Sequence, residues 1–154
     1  MTTPSSPPPF AGDDDASPRF LVVDSRVPAP IRQLLDEADG CLNMAFETGG
    51  TACARKAVDV ILSTEHAVAD DYAASLLTLS ERHPAVAPAL FQILGMLGQG
   101  NEPLSAESLK ALIVTVKAIV YEIYVLGAER IERLMYVHQL VESLKREPAE
   151  PAKL

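Results

Sequence analysis

The chain has 154 residues, 48% of them hydrophobic, with 13 Lys and Arg against 21 Asp and Glu, a net charge of -8. That balance disfavours nucleic-acid binding, which needs a positive face to displace counterions, and the densest basic stretches are only Arg55-Lys56 and Lys145-Arg146. The two cysteines, Cys41 and Cys53, have no second pair at zinc-ligand spacing, so a disulfide framework or structural zinc is not expected and both read as reduced core thiols.

Residues 1–18, with Pro4, Pro7, Pro8, Pro9 and the run Asp13-Asp14-Asp15, bury too little apolar surface to offset chain entropy and are expected to form a disordered tail. They show neither the basic start nor the apolar stretch of a signal peptide, so the expected location is cytoplasmic. Residues 19–27 form an extended lead-in. Their apolar run Phe20-Leu21-Val22-Val23 is expected to lie across a helix groove, because no second strand is present to pair with it.

A helical domain is expected over residues 28–145. Pro28 and Pro30 open the first helix, whose stripe Ile31, Leu34, Leu35, Ala38, Leu42 and Ala45 runs to a stop at Gly49-Gly50. Thr51 caps a second helix with Ala54, Ala57, Val58, Ile61 and Leu62 inward, and Arg55 one turn before Asp59 predicts an ion pair. Asp70 and Asp71 start a third helix carrying Tyr72, Leu76, Leu77 and Ser80, which Pro84 ends. A fourth, Ala85 to Leu97, places Val86, Leu90, Ile93, Leu94 and Leu97 on one face, with Leu97 inward.

Ser105 caps a fifth helix that is apolar nearly all round from Leu109 to Leu126, the expected centre of the bundle. Its most apolar window, Ala111 to Leu126, is shorter than a membrane span and contains Lys117 and Glu122, so no transmembrane segment is expected. Gly127 allows a break. A last amphipathic helix follows over Ala128 to Lys145 through Ile131, Leu134, Val137, Val141 and Leu144, and residues 146–154 form a second disordered tail. The fold class is thus all-α, a bundle of five to six helices. A central helix apolar on every side predicts a homodimer, unless the last helix supplies the missing cover within one chain.

The connection Leu97-Gly98-Gln99-Gly100-Asn101-Glu102-Pro103-Leu104 must reverse the chain, and Asn101 after glycine suits a left-handed, side-chain-capped turn. Together with Val27-Pro28, Ile31, Leu34 and Ala38, and with the segment Ala54-Arg55-Lys56-Ala57-Val58, Gly100-Asn101 before a Ser-capped helix resembles a family of uncharacterised bacterial helical domains associated with restriction systems, within the HEPN superfamily of helical nucleotide-binding and ribonuclease domains. That family's pattern here is R-x-x-G-N-x-x-H, in which arginine stabilises phosphate charge and histidine transfers protons. Leu97 and Leu104 stand about there instead, and no Arg or His occurs between His83 and Arg130. The resemblance therefore implies a degenerate, non-nucleolytic member.

The function expected is a non-catalytic helical interaction module, not an enzyme, accessory to a bacterial defence or toxin-antitoxin system, with a protein partner or itself as its target and no cofactor or metal. The alternative is a HEPN-like ribonuclease or nucleotide-binding protein that uses Arg55 and Asn101 as candidate ligand-binding residues. That alternative predicts a basic, polar cleft where the turn faces the second helix, and the interaction reading predicts an apolar or acidic groove there. His66 and His83 read as helix-end residues and His138 as an interfacial one, with Glu142 one turn beyond it.

Overall fold

The computed structural model describes residues 17–146. The two expected terminal tails, 1–18 and 146–154, lie almost wholly outside them. Six α-helical segments are present and no strand occurs among the described residues: α1 (Ala29–Asn43), α2 (Glu47–Thr64), α3 (Tyr72–Arg82), α4 (Pro88–Leu97), α5 (Ala106–Val120) and α6 (Gly127–Arg146). A π-helical turn, Tyr121–Leu126, joins α5 to α6 without a break, making one continuous helix of 41 residues. The chain is all-α.

The core is the contact of α1, α2 and α5. Ile31, Leu35 and Ala38 from α1 meet Ala54, Ala57, Val58 and Ile61 from α2, and α5 adds Leu109, Leu112, Val116 and Ile119, all essentially without exposure. Helix α4 packs on α5 with Leu94 buried, and α3, with Leu76 and Leu79 buried, packs on α4 and α2. The lead-in segment, expected to be extended, forms a short 3-10 turn, Arg19–Leu21, that packs on α5; Val27 is buried, whereas Val22 is exposed.

Local chemistry sets several boundaries as expected. Asp71 caps α3 by accepting from the Ala74 amide at 2.7 Å, and Ser105 caps α5 by accepting from Ser108 at 3.2 Å. Others are displaced. The first helix ends at Asn43, and exposed Ala45, at φ 60°, turns the chain directly into α2. Gly49 and Gly50 therefore lie inside α2 and do not stop α1. They are needed for closeness, since a Cβ at Gly50 would lie 2.6 Å from Leu109 Cδ2 and 3.2 Å from Cys41 Cβ. Thr51 is buried mid-helix and caps nothing on α2. In α3 the inward residues are Leu76 and Leu79, whereas Leu77 is exposed. Helix α4 starts at Pro88, because proline is accommodated best in a first turn.

The largest departure is at the C-terminal end. Gly127 continues the helix through a bond from its amide to the Glu122 carbonyl, the wider repeat of a π turn. At about 1.5 Å per residue the rod spans roughly 60 Å, against about 27 Å for α2. It must overhang its neighbours, and no residue of α6 is buried. The last helix thus does not cover α5, whose buried residues, Leu109, Leu112, Ile113, Val116, Ile119 and Val120 among them, are instead covered by α1, α2 and α4. The rod also contains an 18-residue window of mean hydropathy 1.8, half of it buried. By length and composition alone it could cross a membrane, so the short length of Ala111 to Leu126 does not exclude that; its burial is that of a core helix.

Candidate functional site

Packing of the α2 stripe against α1 and α5 turns Arg55 toward the α4–α5 turn. There its guanidinium donates from Nε to the Leu97 carbonyl at 3.1 Å and from Nη1 to the carbonyls of Gly100 and Glu102, at 3.1 and 2.6 Å. One turn earlier, Thr51 Oγ1 accepts from the Leu104 amide at 3.0 Å. Two residues of one helix thus hold both ends of a loop with no regular structure. The expected Arg55–Asp59 ion pair does not form, because three fixed carbonyls satisfy the planar guanidinium better than one exposed carboxylate.

Glycine is required twice in this turn. Gly100 has φ 130°, a conformation that side chains disfavour, and Gly98 is buried against Tyr72, whose hydroxyl donates to the Leu94 carbonyl at 2.8 Å. Gly100 takes the left-handed position expected of Asn101, which is exposed. Leu97 is half-buried and packs on the core with Leu104. Both leucines are therefore part of the apolar packing.

Between α2 and the turn lies a cleft of about 310 Å³ lined by Thr48, Arg55, Lys56, Asp59, Gly100 and Asn101, among others. The structure thus brings Arg55 and Asn101 to one place, lined by side chains of both charges and by apolar surface. Its chemistry is meagre. Arg55 has spent its Nε and Nη1 hydrogens on carbonyls, and no histidine or cysteine lines the cleft. Burial, reinforced by the Asp59 charge, pushes the Tyr72 phenol up to about 12, so it stays protonated at neutral pH. Cys53 is likewise pushed upward, first by burial and then by Glu37 at 3.6 Å from its sulfur, the reverse of an activated thiol. Cys41 and Cys53 are both free and half-buried.

A different feature stands out on α6. Ile131, Leu134, Met135, Tyr136, Val137, Leu140, Val141 and Leu144 are each at least 40% exposed. The expected stripe exists, but it faces solvent along a helix held at its base by Arg26, which bridges Asp24 and Glu129. His138 is exposed beside Glu142 at 3.9 Å, while His83 meets Glu65 at 2.7 Å. The Glu65 contact spans 18 residues, and only the tertiary fold reveals it. No group of three His, Cys, Asp or Glu among the described residues is arranged to hold a metal. Comparison with protein-family models, with curated proteins and with solved structures finds no match to this chain.

Proposed function

We propose that this chain is a non-catalytic helical interaction module of the cytoplasm that pairs through α6 with a second copy of itself. The observation that carries the reading is the uncovered apolar face of α6. Leu134, Val137, Val141 and Leu144 follow the 3-4-3 spacing of a coiled-coil seam. Charge favours a second copy as the occupant. Glu129, Glu132 and Glu142 are balanced by Arg130, Arg133, Lys145 and Arg146, so two such helices meet without the repulsion that the -8 charge of the whole chain imposes elsewhere.

A non-catalytic role is supported by the two packed leucines at the turn and by an Arg55 committed to carbonyls. The free thiols fit a reducing cytoplasm. The resemblance to restriction-associated helical domains of the HEPN superfamily suggests a bacterial defence or toxin-antitoxin setting. Sedimentation equilibrium tests the pairing. The parent should approach twice the chain mass at micromolar concentration, and Leu134→Glu with Val141→Glu should yield a monomer of unchanged helicity. A parent that stays monomeric to about 100 µM sinks the proposal.

The α2 cleft favours a second reading, nucleotide or RNA binding at Lys56, Arg55 and Asn101. It predicts RNA cleavage or nucleotide retention that Lys56→Ala abolishes. The acidic chain and the absence of any imidazole in the cleft weigh against it.

A further inference from the structure

The ends of α2 and α3 and the π turn converge, and two backbone irregularities coincide there. His66, immediately after α2, holds a left-handed φ of 54°, uncommon for a residue with a side chain. The π turn, Tyr121–Leu126, is a rare departure that often accompanies a functional site. Between them sits the side chain of Glu65, which is 18% exposed. Its Oε1 lies 2.7 Å from His83 Nε2, and its Oε2 accepts from the Tyr124 hydroxyl at 2.8 Å. Both carboxylate oxygens are used, and the imidazole is fixed by one nitrogen, the usual way a carboxylate orients a working histidine.

Beside this cluster opens a cleft of about 290 Å³ whose polar lining is Arg82, His83, Glu122 and Arg130. The two arginines come from different helices, and neither forms an ion pair among the described residues. The two guanidiniums face one cleft without an ion-pair partner among the described residues, while Glu122 lines the same cleft and Glu65 engages His83, so the arginines are the cationic groups left to meet an anion.

We propose that the cleft between Arg82, His83 and Arg130 binds the phosphate group of a small phosphomonoester. Phosphate suits it better than carboxylate, because two guanidiniums from different helices match a tetrahedral dianion, whereas a planar carboxylate is satisfied by one guanidinium fork. Glu122 at the same cleft repels a second anionic group and can accept from a hydroxyl on the organic part of the ligand. The site is separate from the α2 cleft and from the Leu134 to Leu144 face of α6.

The test is a ¹H–¹⁵N NMR titration of the full chain with inorganic phosphate, glycerol 2-phosphate and, as the carboxylate control, malonate, in a low-salt buffer free of phosphate. Saturable shifts confined to residues near 82–86 and 122–130, weakened about tenfold or more in Arg82→Ala/Arg130→Ala, are expected for both phosphates. Both arginines are exposed, so this variant should keep the parent's circular dichroism. Tighter binding of glycerol 2-phosphate identifies an organic phosphomonoester as the ligand, and equal binding assigns recognition to the phosphate alone. Equal or stronger binding of malonate, shifts scattered over the surface, or affinity unchanged in the double variant overturns the proposal.

Discussion

Arg55→Ala separates a clamp from a ligand-binding residue. In the parent, one guanidinium bonds to three carbonyls of the α4–α5 turn, at 3.1, 3.1 and 2.6 Å. A hydrogen bond to a charged donor contributes roughly 1.5–3 kcal/mol. The bonds to Gly100 and Glu102 are exposed, so water replaces much of what they give, while the part-buried Leu97 carbonyl loses its partner outright. The net expectation is a loss of about 2 kcal/mol, or roughly 6–8 °C in Tm for a domain of this size. Arg55→Lys should recover less than half of it, since a single ammonium cannot reach all three carbonyls. Urea denaturation followed by circular dichroism reads both values. An Arg55→Ala variant within about 0.5 kcal/mol of the parent would refute the clamp and leave Arg55 free for a ligand.

Gly98→Ala should destabilise by about 2 kcal/mol, because its methyl overlaps the Tyr72 hydroxyl and lies 2.7 Å from the Leu94 carbonyl; Tyr72→Phe in the same chain should relieve part of that loss in a double-mutant cycle. Stability should fall as pH rises from about 10 through 12. The unfolded chain releases the phenol protons of Tyr72 and Tyr124 in that window while the fold retains them, so Tyr72→Phe and Tyr124→Phe should each flatten the alkaline limb of a Tm–pH profile. Asp39→Ala should cost about 2 kcal/mol by stranding the Lys117 ammonium, 9% exposed and 2.6 Å from Asp39, whereas Lys117→Met strands no buried charge and should cost less; the opposite order in urea denaturation would contradict this. Ser105→Ala should cost about 1 kcal/mol through loss of the α5 cap, read in the same way.

What was legible in the sequence was whatever acts within about one helical turn. Asp71 and Ser105 reach amides three residues away, so composition alone marks them as caps. The α1 stripe repeats over three turns, and its members Ile31, Leu35 and Ala38 are the buried residues of that helix, while Ala45, the last position the period names, lies past the helix end and is exposed. Gly49-Gly50 was misleading because glycine has two uses, and which one applies here depends on Leu109, 59 residues beyond Gly50. Arg55 shows the same limit. Asp59 is its neighbour along the helix, but its partners lie 42 to 47 residues away on a turn whose path the sequence does not reveal.

The apolar periodicity of α6 raises a deeper ambiguity, because a stripe that buries itself within the chain and one that awaits a partner look alike in sequence. Length and register decide between them here. A rod of roughly 60 Å cannot be covered by helices of half that length. The π turn adds to this: one extra residue in the helical repeat rotates everything beyond it by about 100°, so the face bearing Leu134, Val137 and Val141 no longer continues the buried face of Leu112, Val116 and Ile119. The same turn carries Tyr124 to Glu65 and Glu122 to the arginine-lined cleft. A single local irregularity thus both directs the unpartnered face outward and assembles the polar cluster at its base.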